Sequence, residues 1–399
     1  MIHAGLVTFI DELGPLPFFG HTIDGNQNGR TGIRQQLALI EKTLKIPTFT
    51  MLSDRGTFSV AHLLRLHDAK SHAICSVPWA DVKDLFEEKR KSLQWKTASF
   101  LSIEQKRRRE KESTLAQEHY QLAVVKHKFH DDESKRSIDT RVIFVYSTAD
   151  QKVVHQQRQK QIQRIKDELK QIEQSVAAGR YNDKMTSVSK RVARAFNSGS
   201  SERYFTWELT KLTPEELEAA TKSTVRGGRV PTHRFTWTFD ESLVKEVEAS
   251  DGYSAIVTTV PLATHNADTV FTMFREQNLV EHANRQFKGP LAVRPVFLHS
   301  PERVEALVFL LMISLMVYFL VQRTYRENTP QDAPEKERRT TTATILDAFR
   351  SYAILIDHNP LGRVVNATRL TTRQREILRR LNFPSPAQTL SRRLARPPD

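Results

Sequence analysis

An uncharged apolar run, "ALVFLLMISLMVYFLV" at 306–321, constrains the fold of this chain more than any other segment. A helix that spans a membrane needs about 20 consecutive apolar residues, so this run is short for a span. Charged residues, Glu305 and Arg323, stand close to its two ends. We therefore predict a helix that is buried on all sides in a protein core. A membrane-anchored protein is the alternative reading of the same run.

The first eighty residues predict strands and helices in alternation. "HAGLVTFI" and "LPFFGHTI" predict two strands joined by the turn "DELGP". Apolar residues at helical spacing over 33–44 predict a helix, and "IPTFTMLSD" predicts a short buried strand. A helix over "FSVAHLLRLHD" and a strand over "SHAICSVPW" follow. This order predicts an α/β core with at least one parallel pair of strands.

The middle of the chain differs in character and predicts a large basic α+β insertion. It contains a solvated charge run, "SIEQKRRREKES", and a strong strand over 140–148. Apolar residues in 3-4 spacing predict a long helix over 150–178, with lysines and arginines on its other faces. "RYFTWELT" and "HRFTWTFD" predict a pair of strands. The α/β pattern returns at "DGYSAIVTTV".

These changes of pattern divide the chain into four predicted parts. They are the first part of the core at 1–80, the insertion at 81–250, the second part of the core at 251–326, and a linker with a helical C-terminal region at 327–399. In the last part we predict a helix over "ATILDAFRSYAIL", a small hairpin over "HNPLGRVVNAT" and a capped helix that begins at "LTTRQREILRRL".

Charge and cysteine content indicate the partner and the compartment. The formal net charge is +14 and the pI is about 9.8, which predicts a polyanionic partner, with nucleic acid as the first candidate. A basic enzyme without such a partner is the alternative. Cys75 is the only cysteine, so an intramolecular disulfide and a cysteine zinc site are excluded. A reducing cytoplasm fits this usage.

Asp54 is the first candidate site residue. It follows a predicted buried strand, in the sequence "SDRG". In open α/β sheets, ligands bind outside the carboxyl ends of the strands, and Asp54 stands at such an end. The alternative is that Asp54 caps the next helix or closes a turn with Gly56.

A second group of charges lies on a predicted helix in "LVEHANRQFKGP". Arg285 and Lys288 follow Glu281 at offsets of four and seven residues, so the three side chains share one helix face. A surface ladder of ion pairs is one interpretation, worth a few tenths of a kcal/mol. The other is a metal site, because carboxylates from a strand end and a helix can bind two Mg²⁺ ions for phosphoryl transfer. Arg285 and Lys288 would then hold phosphates.

Four stretches together give a resemblance to a known family. They are "IDGNQNG", "MLSDRGTFSVAHLLRL", "DGYSAIVTT" and "VEHANRQFKGPLAVRPVFLHSPERVEALVFLLMISLMVYFLV". On these residues the chain resembles DDE transposases of insertion sequences, in the branch marked by a Y-x2-R-x3-E-x6-K motif. The resemblance covers about 3–80 and 250–380. It implies an RNase H-like core, a mixed sheet with flanking helices, interrupted by the insertion. It also implies two Mg²⁺ or Mn²⁺ ions, and DNA strand cleavage followed by strand transfer.

The resemblance assigns roles to individual residues. Asp54 corresponds to the second acid of the family, Glu281 to the third, and Lys288 to the motif lysine. Both acids would be catalytic metal ligands. Gln277 stands where the motif has arginine, and Phe274 stands where it has tyrosine. These two departures replace a cation and a hydroxyl of the motif.

The first acid of the family has no candidate in this chain. The family places it on a strand before the hairpin, whereas Asp11 falls in the "DELGP" turn and Asp24 in the "DGN" loop. We therefore expect an N-terminally truncated copy with little or no strand-cleavage activity. A non-catalytic DNA-binding remnant is the alternative. The implied partners are double-stranded DNA, as element ends and target, and a second copy of the chain, in the cytoplasm with the nucleoid and without a membrane.

Overall fold

A computed structural model describes residues 2–384 and 386, apart from gaps at 12, 25–36, 39, 41, 43–47, 102–118, 183–184, 197–199, 225–227, 289–299, 360–361 and 385. The chain forms two compact units, Met1–Ala73 with Thr272–Asp399, and Ile74–Phe271. We call them the outer-sequence unit and the middle unit. The predicted charge run "SIEQKRRREKES" and most of the helix predicted over 33–44 lie outside the described residues.

The described strands are β1 (Ile2–Asp11), β2 (Gly14–Asp24), β3 (Thr50–Ser53), β4 (His72–Ser76), β5 (Lys96–Thr97), β6 (Tyr120–Asp131), β7 (Arg136–Ser147), β8 (Phe205–Lys211), β9 (His233–Phe239), β10 (Tyr253–Thr258), β11 (Ile354–Asn359) and β12 (Gly362–Ala367). The described α-helices that we label are α1 (Val60–Asp68), α2 (Lys83–Lys89), α3 (Thr148–Ala177), α4 (Met185–Phe196), α5 (Pro214–Ser223), α6 (Glu241–Glu248), α7 (Ala267–Arg275), α8 (Gln277–Lys288), α9 (Pro301–Glu327), α10 (Glu335–Arg338), α11 (Thr342–Ala348) and α12 (Thr372–Arg380).

The architecture is α/β, with a mixed six-stranded sheet flanked by helices. The strand order is β3-β4-β10-β7-β6-β5, and the pairings from β4 through to β5 are antiparallel. β7 lies in the interior of this sheet and is buried without interruption over 140–145. A strand covered on both faces has this continuous apolar pattern rather than an alternating one. The prediction of a strong strand at this place is confirmed.

The middle unit draws its sheet partly from residues that we predicted to form the insertion. β5, β6 and β7 all come from 81–250, yet β7 pairs along β10, which begins the predicted second part of the core. The unit boundaries fall at 73/74 and 271/272. The rest of the predicted insertion, from α3 to α6, builds a second core beside helix α3.

Helix α3 organises that second core, as its 3-4 spacing predicts. Ser147 caps its first turn by accepting a hydrogen bond from the Asp150 amide at 3.1 Å. The apolar stripe of α3 packs against α4, α6 and the antiparallel pair β8–β9; its buried members are Ile162, Ile165, Leu169, Ile172 and Val176.

An ion pair joins the first half of α3 to the turn before β10. Nη1 and Nη2 of buried Arg158 donate hydrogen bonds to the two oxygens of the Asp251 carboxylate, each at 2.5 Å. This bond raises the pKa of Arg158 and fixes the turn before β10 to α3.

In the outer-sequence unit, the hairpin β1–β2 packs against helix α9. The hairpin is antiparallel from Ile2 paired with Asp24 to Asp11 paired with Gly14, which confirms the predicted pair of strands. α9 also contacts α8, α11 and α12. Its buried stripe forms a cluster with α8: Ala283, Val304, Val308, Met312, Leu315 and Phe319.

The prediction that this apolar helix is buried on all sides is wrong. Its neighbours among the described residues cover one stripe only. The other side exposes large apolar side chains, with relative exposures of 64% for Phe309, 60% for Leu310, 40% for Ile313, 53% for Val317 and 42% for Leu320. Among the described helices, α9 alone is long and apolar enough to cross a membrane, with a mean hydropathy of 2.5 over 18 residues, of which 28% are buried.

Two of the three predicted C-terminal elements match their predictions, and the third is shorter. α12 begins with a capping box, in which Thr371 and Gln374 bind each other's backbone amides. β11 and β12 form the predicted antiparallel hairpin. The helix predicted over "ATILDAFRSYAIL" is shorter than expected and ends at Ala348.

The turn of the first hairpin gives a test of the fold. Gly14 has a φ of +109°, a backbone conformation that side chains other than glycine rarely adopt. We expect Gly14→Ala to lower the free energy of unfolding by about 1–3 kcal/mol. Gly56→Ala is the matched control, because a Cβ there would meet Asp54 Oδ1 at an ordinary 3.5 Å. Thermal and urea unfolding measure the stability of both variants. Equal losses of unfolding free energy would show that the positive φ of Gly14 is not the cause.

Candidate functional site

Asp54 directly follows β3 and caps the short 3-10 turn Arg55–Thr57. Its Oδ1 accepts a hydrogen bond from the Gly56 amide at 3.1 Å, and its backbone oxygen accepts one from Thr57 Oγ1 at 2.9 Å. This is the turn-closing role that we kept as the alternative for Asp54. The side chain is exposed, and its Oδ2 forms no hydrogen bond with any described residue. Half of the carboxylate therefore remains available to a ligand.

Glu281 lies on the solvent side of helix α8. The orientation follows from packing, because Ala283 of the same helix is fully buried in the cluster beneath α9. Glu281 and Arg285 are both exposed, as their shared helix face predicts. Within the described part of the chain no ion pair joins them, so the surface ladder is not found. Lys288 is the last residue of α8, and its side chain lies outside what the structure describes.

The described residues hold no complete metal site. They contain no group of three or more His, Cys, Asp or Glu side chains that could hold a metal ion. Asp54 and Glu281 each supply exposed carboxylate oxygens, the donor type that Mg²⁺ and Mn²⁺ prefer. By donor chemistry the two residues fit such an ion.

Asp11, which the sequence could not place as the missing first acid, has a structural role. It ends β1 and binds Arg323 of α9, whose Nη1 and Nη2 donate to its two carboxylate oxygens at 2.5 Å. The Leu13 amide also donates to Asp11 at 2.9 Å. The Arg323 bond is the main cause that lowers the pKa of Asp11. Asp11 thus fastens the hairpin turn to α9.

Two basic cavities in the middle unit were not found by sequence reasoning. One has a volume of about 830 Å³, and its lining includes Lys89, Lys96 and Lys126. The other has about 610 Å³, and its lining includes Lys126, Lys128 and Arg141. Lys126 and Lys128 are both exposed and alternate along β6, as residues on one face of a strand do. That alternation in "VKHKF" was the signal available in the sequence.

Arg141 is a buried cation beside the second cavity. Its side chain is 8% exposed, and its Nη2 donates to the backbone oxygens of Val260 at 2.7 Å and His265 at 2.9 Å. Its Nε and Nη1 have no hydrogen-bond partner in the described structure. Burial lowers the pKa of Arg141. The residue therefore holds the segment after β10 against β7, at the cost of an incompletely bonded cation.

Trp207 of β8 and Trp237 of β9 are aromatic residues that could stack on an unpaired base or pack within the sheet. The structure supports packing. Trp207 stacks on Phe235 at 5.8 Å between ring centroids, and Trp237 Nε1 donates to Glu173 of α3 at 3.1 Å. Both tryptophans are partly buried against the core that α3 organises.

Comparison with known proteins adds no family to these observations. No family model matches the chain, and no curated protein matches it. The resemblance to DDE transposases therefore stays a prediction that depends on the residues quoted above.

The Asp11–Arg323 pair predicts a pH-dependent contribution to stability. At pH 7 we expect Asp11→Asn to lower the free energy of unfolding by about 1–2 kcal/mol, because charge-assisted hydrogen bonds are lost. The folded-state pKa of Asp11 is lowered, so this contribution exists above the unfolded-state pKa of about 3.9 and disappears as pH falls through the folded-state pKa.

Urea unfolding of both proteins between pH 3 and 7 measures this difference. Asp347→Asn is the control, because Asp347 is 74% exposed and its nearest cation, Arg350, is 4.0 Å away. A deficit in Asp11→Asn that stays constant across the acid range would show that the ion pair is not its cause.

Proposed function

We propose that this chain is the core of a DDE-type transposase of a bacterial or archaeal insertion sequence. Its reaction would be metal-dependent DNA strand cleavage, followed by strand transfer at the element ends. The observation that carries the proposal is the block around Glu281, where acid, arginine and lysine share a helix face and the first two are exposed. Asp54, exposed at the end of a strand, supports it.

The proposed chemistry gives each residue a separate task. Asp54 Oδ2 and the Glu281 carboxylate would hold the divalent ions, Mg²⁺ or Mn²⁺. Two such ions, when bound, stabilise the attacking and leaving oxygens of an in-line displacement at phosphorus. Arg285 and Lys288 would bind phosphates of the same strand and set its position. The glutamine and phenylalanine that replace motif residues remove one cation and one hydroxyl from this helix.

A reduced activity is part of the proposal. The chain offers the second and third acids, and no candidate for the first. Positioning and electrostatics supply most of the catalysis in phosphoryl transfer, so two ligands without the third leave the metal ions poorly held. We expect DNA binding with little or no cleavage. A non-catalytic DNA-binding protein is therefore the second candidate function. The basic cavities support this function as much as they support a transposase.

The partner in both cases is double-stranded DNA. The net charge of +14 and the exposed lysines around the two basic cavities suit a polyanion. The proposal also includes a second copy of the chain, as a homodimer in the synaptic complex, and a place in the cytoplasm with the nucleoid.

The catalytic part of the proposal is tested by nicking of supercoiled plasmid with Mg²⁺ or Mn²⁺. We expect at most weak nicking by the unaltered chain, and none above background in Asp54→Ala or Glu281→Ala. Duplex affinity should stay within about twofold in both variants, since neither removes a cation. Asp347→Ala is the control for loss of a remote carboxylate. Strong nicking that survives Asp54→Ala would contradict the assignment of this acid.

The DNA-binding part is tested by fluorescence anisotropy with a duplex over a range of salt. Arg285→Ala and Lys126→Ala should each weaken binding and reduce the slope of log affinity against log salt by about one. Lys245→Ala is the matched control, because Lys245 is 72% exposed, pairs with Glu241 and lines neither cavity. No salt-dependent binding by the unaltered chain would exclude both candidate functions.

A further inference from the structure

Helix α9 carries two apolar stripes, of which the described structure covers one. The uncovered stripe, which we call the outer seam, runs along the helix at Ala306, Leu310, Ile313, Val317, Leu320 and Thr324. Its four large members are between 40% and 60% exposed. A contiguous apolar surface of this kind on a folded protein marks an interaction site.

The spacing of the outer seam is that of a coiled coil. Its positions advance by four, three, four, three and four residues, the alternation that keeps one seam facing a partner helix. In this register Leu310 and Val317 occupy a positions, and Ile313 and Leu320 occupy d positions. The seam extends over about two and a half heptads. A helix with this pattern fits another helix better than it fits a flat sheet or an extended peptide.

The charge distribution also suits a second copy of the same helix. No charged residue occurs from 306 to 322, so two copies can approach along the seam despite the high net charge. An antiparallel pair also opposes the two helix dipoles favourably, because the positive end of each helix then lies beside the negative end of the other.

The outer seam is small for a protein–protein interface. Its large side chains, with neighbouring Phe309, expose on the order of 400–500 Å² of apolar surface per copy, if each offers up to about 200 Å² in full. A stable specific interface buries about 800 Å² per partner. The seam is therefore sufficient for a weak pair, with a Kd in the micromolar range.

A lipid bilayer suits α9 less well. The buried stripe of the helix packs against strand β2 and includes Gln322, which is 2% exposed. The Asp11–Arg323 ion pair lies just after the C-terminal end of the apolar run 306–321. A spanning segment cannot carry an open two-stranded hairpin into hydrocarbon, because the edges of that hairpin would lose their hydrogen bonds to water.

We propose that two copies of this chain pair through the outer seam, helix α9 against helix α9. Pairing of two copies is one element of the proposed function, but the surface assigned here depends on α9 alone. Oligomeric state tests it, without reference to DNA, so the failure of one proposal is distinguishable from the failure of the other.

Sedimentation of the full chain from about 1 to 100 µM tests the pairing, since that range brackets a micromolar Kd. We expect a monomer–dimer equilibrium, and a Kd at least tenfold weaker for the double variant L310E/V317E. Leu346→Glu is the control, because Leu346 is 59% exposed and lies outside the seam. Circular dichroism checks that all variants fold alike. An unaltered chain that stays monomeric throughout, or a seam variant that pairs as before, would overturn the proposal.

Cysteine cross-linking tests the geometry of the pair. The native Cys75 is 3% exposed and reacts poorly, so one added cysteine reports on its own position. Val317→Cys, near the middle of the seam, should be joined into a dimer by a short bis-maleimide reagent that spans about one helix turn, whereas Leu346→Cys should not. Cross-linking by both variants to the same extent would show random collision and would overturn the assignment of the seam. Flotation with phosphatidylcholine–phosphatidylglycerol vesicles that is lost in L310E/V317E would assign the seam to a membrane and would also overturn the proposal.

Discussion

Helix α9 has more apolar surface than its described neighbours cover, and the organisation of the outer-sequence unit follows from this excess. The hairpin β1–β2 packs along α9 and is held there by the Asp11–Arg323 pair. Helix α8 buries Ala283 in the same cluster, and this contact turns Glu281 and Arg285 toward solvent. The exposure of the candidate catalytic acid is thus a consequence of how α9 is covered. The uncovered side of α9 is what remains for another molecule.

Local patterns in the sequence were enough to find most of the elements. The 3-4 spacing from Ile162 to Val176 identifies the buried face of α3. The hairpins were predicted from strand-like alternation and turn residues, and the capped C-terminal helix from its cap residues. These features depend on neighbours within a few residues, so the sequence carries them directly. The turn at Asp54 was visible in the same way, in "SDRG".

Features that depend on distant contacts were not predictable in this way. Val142 pairs with Val257 across the sheet, and no local signal shows that a strand of the predicted insertion joins β10. The burial of α9 was misjudged because a uniformly apolar run has no amphipathic signal to separate a covered face from an open one. How much protein surrounds a helix is a property of the whole fold. Prediction of the candidate site from sequence is limited in the same way. The spacing placed Glu281 and Arg285 on one helix face, but it could not identify the ligands that would complete a metal site.

The two surfaces proposed for binding depend on different forces. The basic cavities of the middle unit attract DNA by charge, and added salt weakens that attraction because releasing the DNA's counterions into a more concentrated solution gains less entropy. The outer seam has no charge over its length, and burial of its apolar side chains depends little on moderate salt. Pairing and DNA binding therefore respond differently to ionic strength. A dimer that persists at a salt concentration where DNA has dissociated would be held by α9, whereas a dimer that dissociates together with the DNA would be held by the DNA itself.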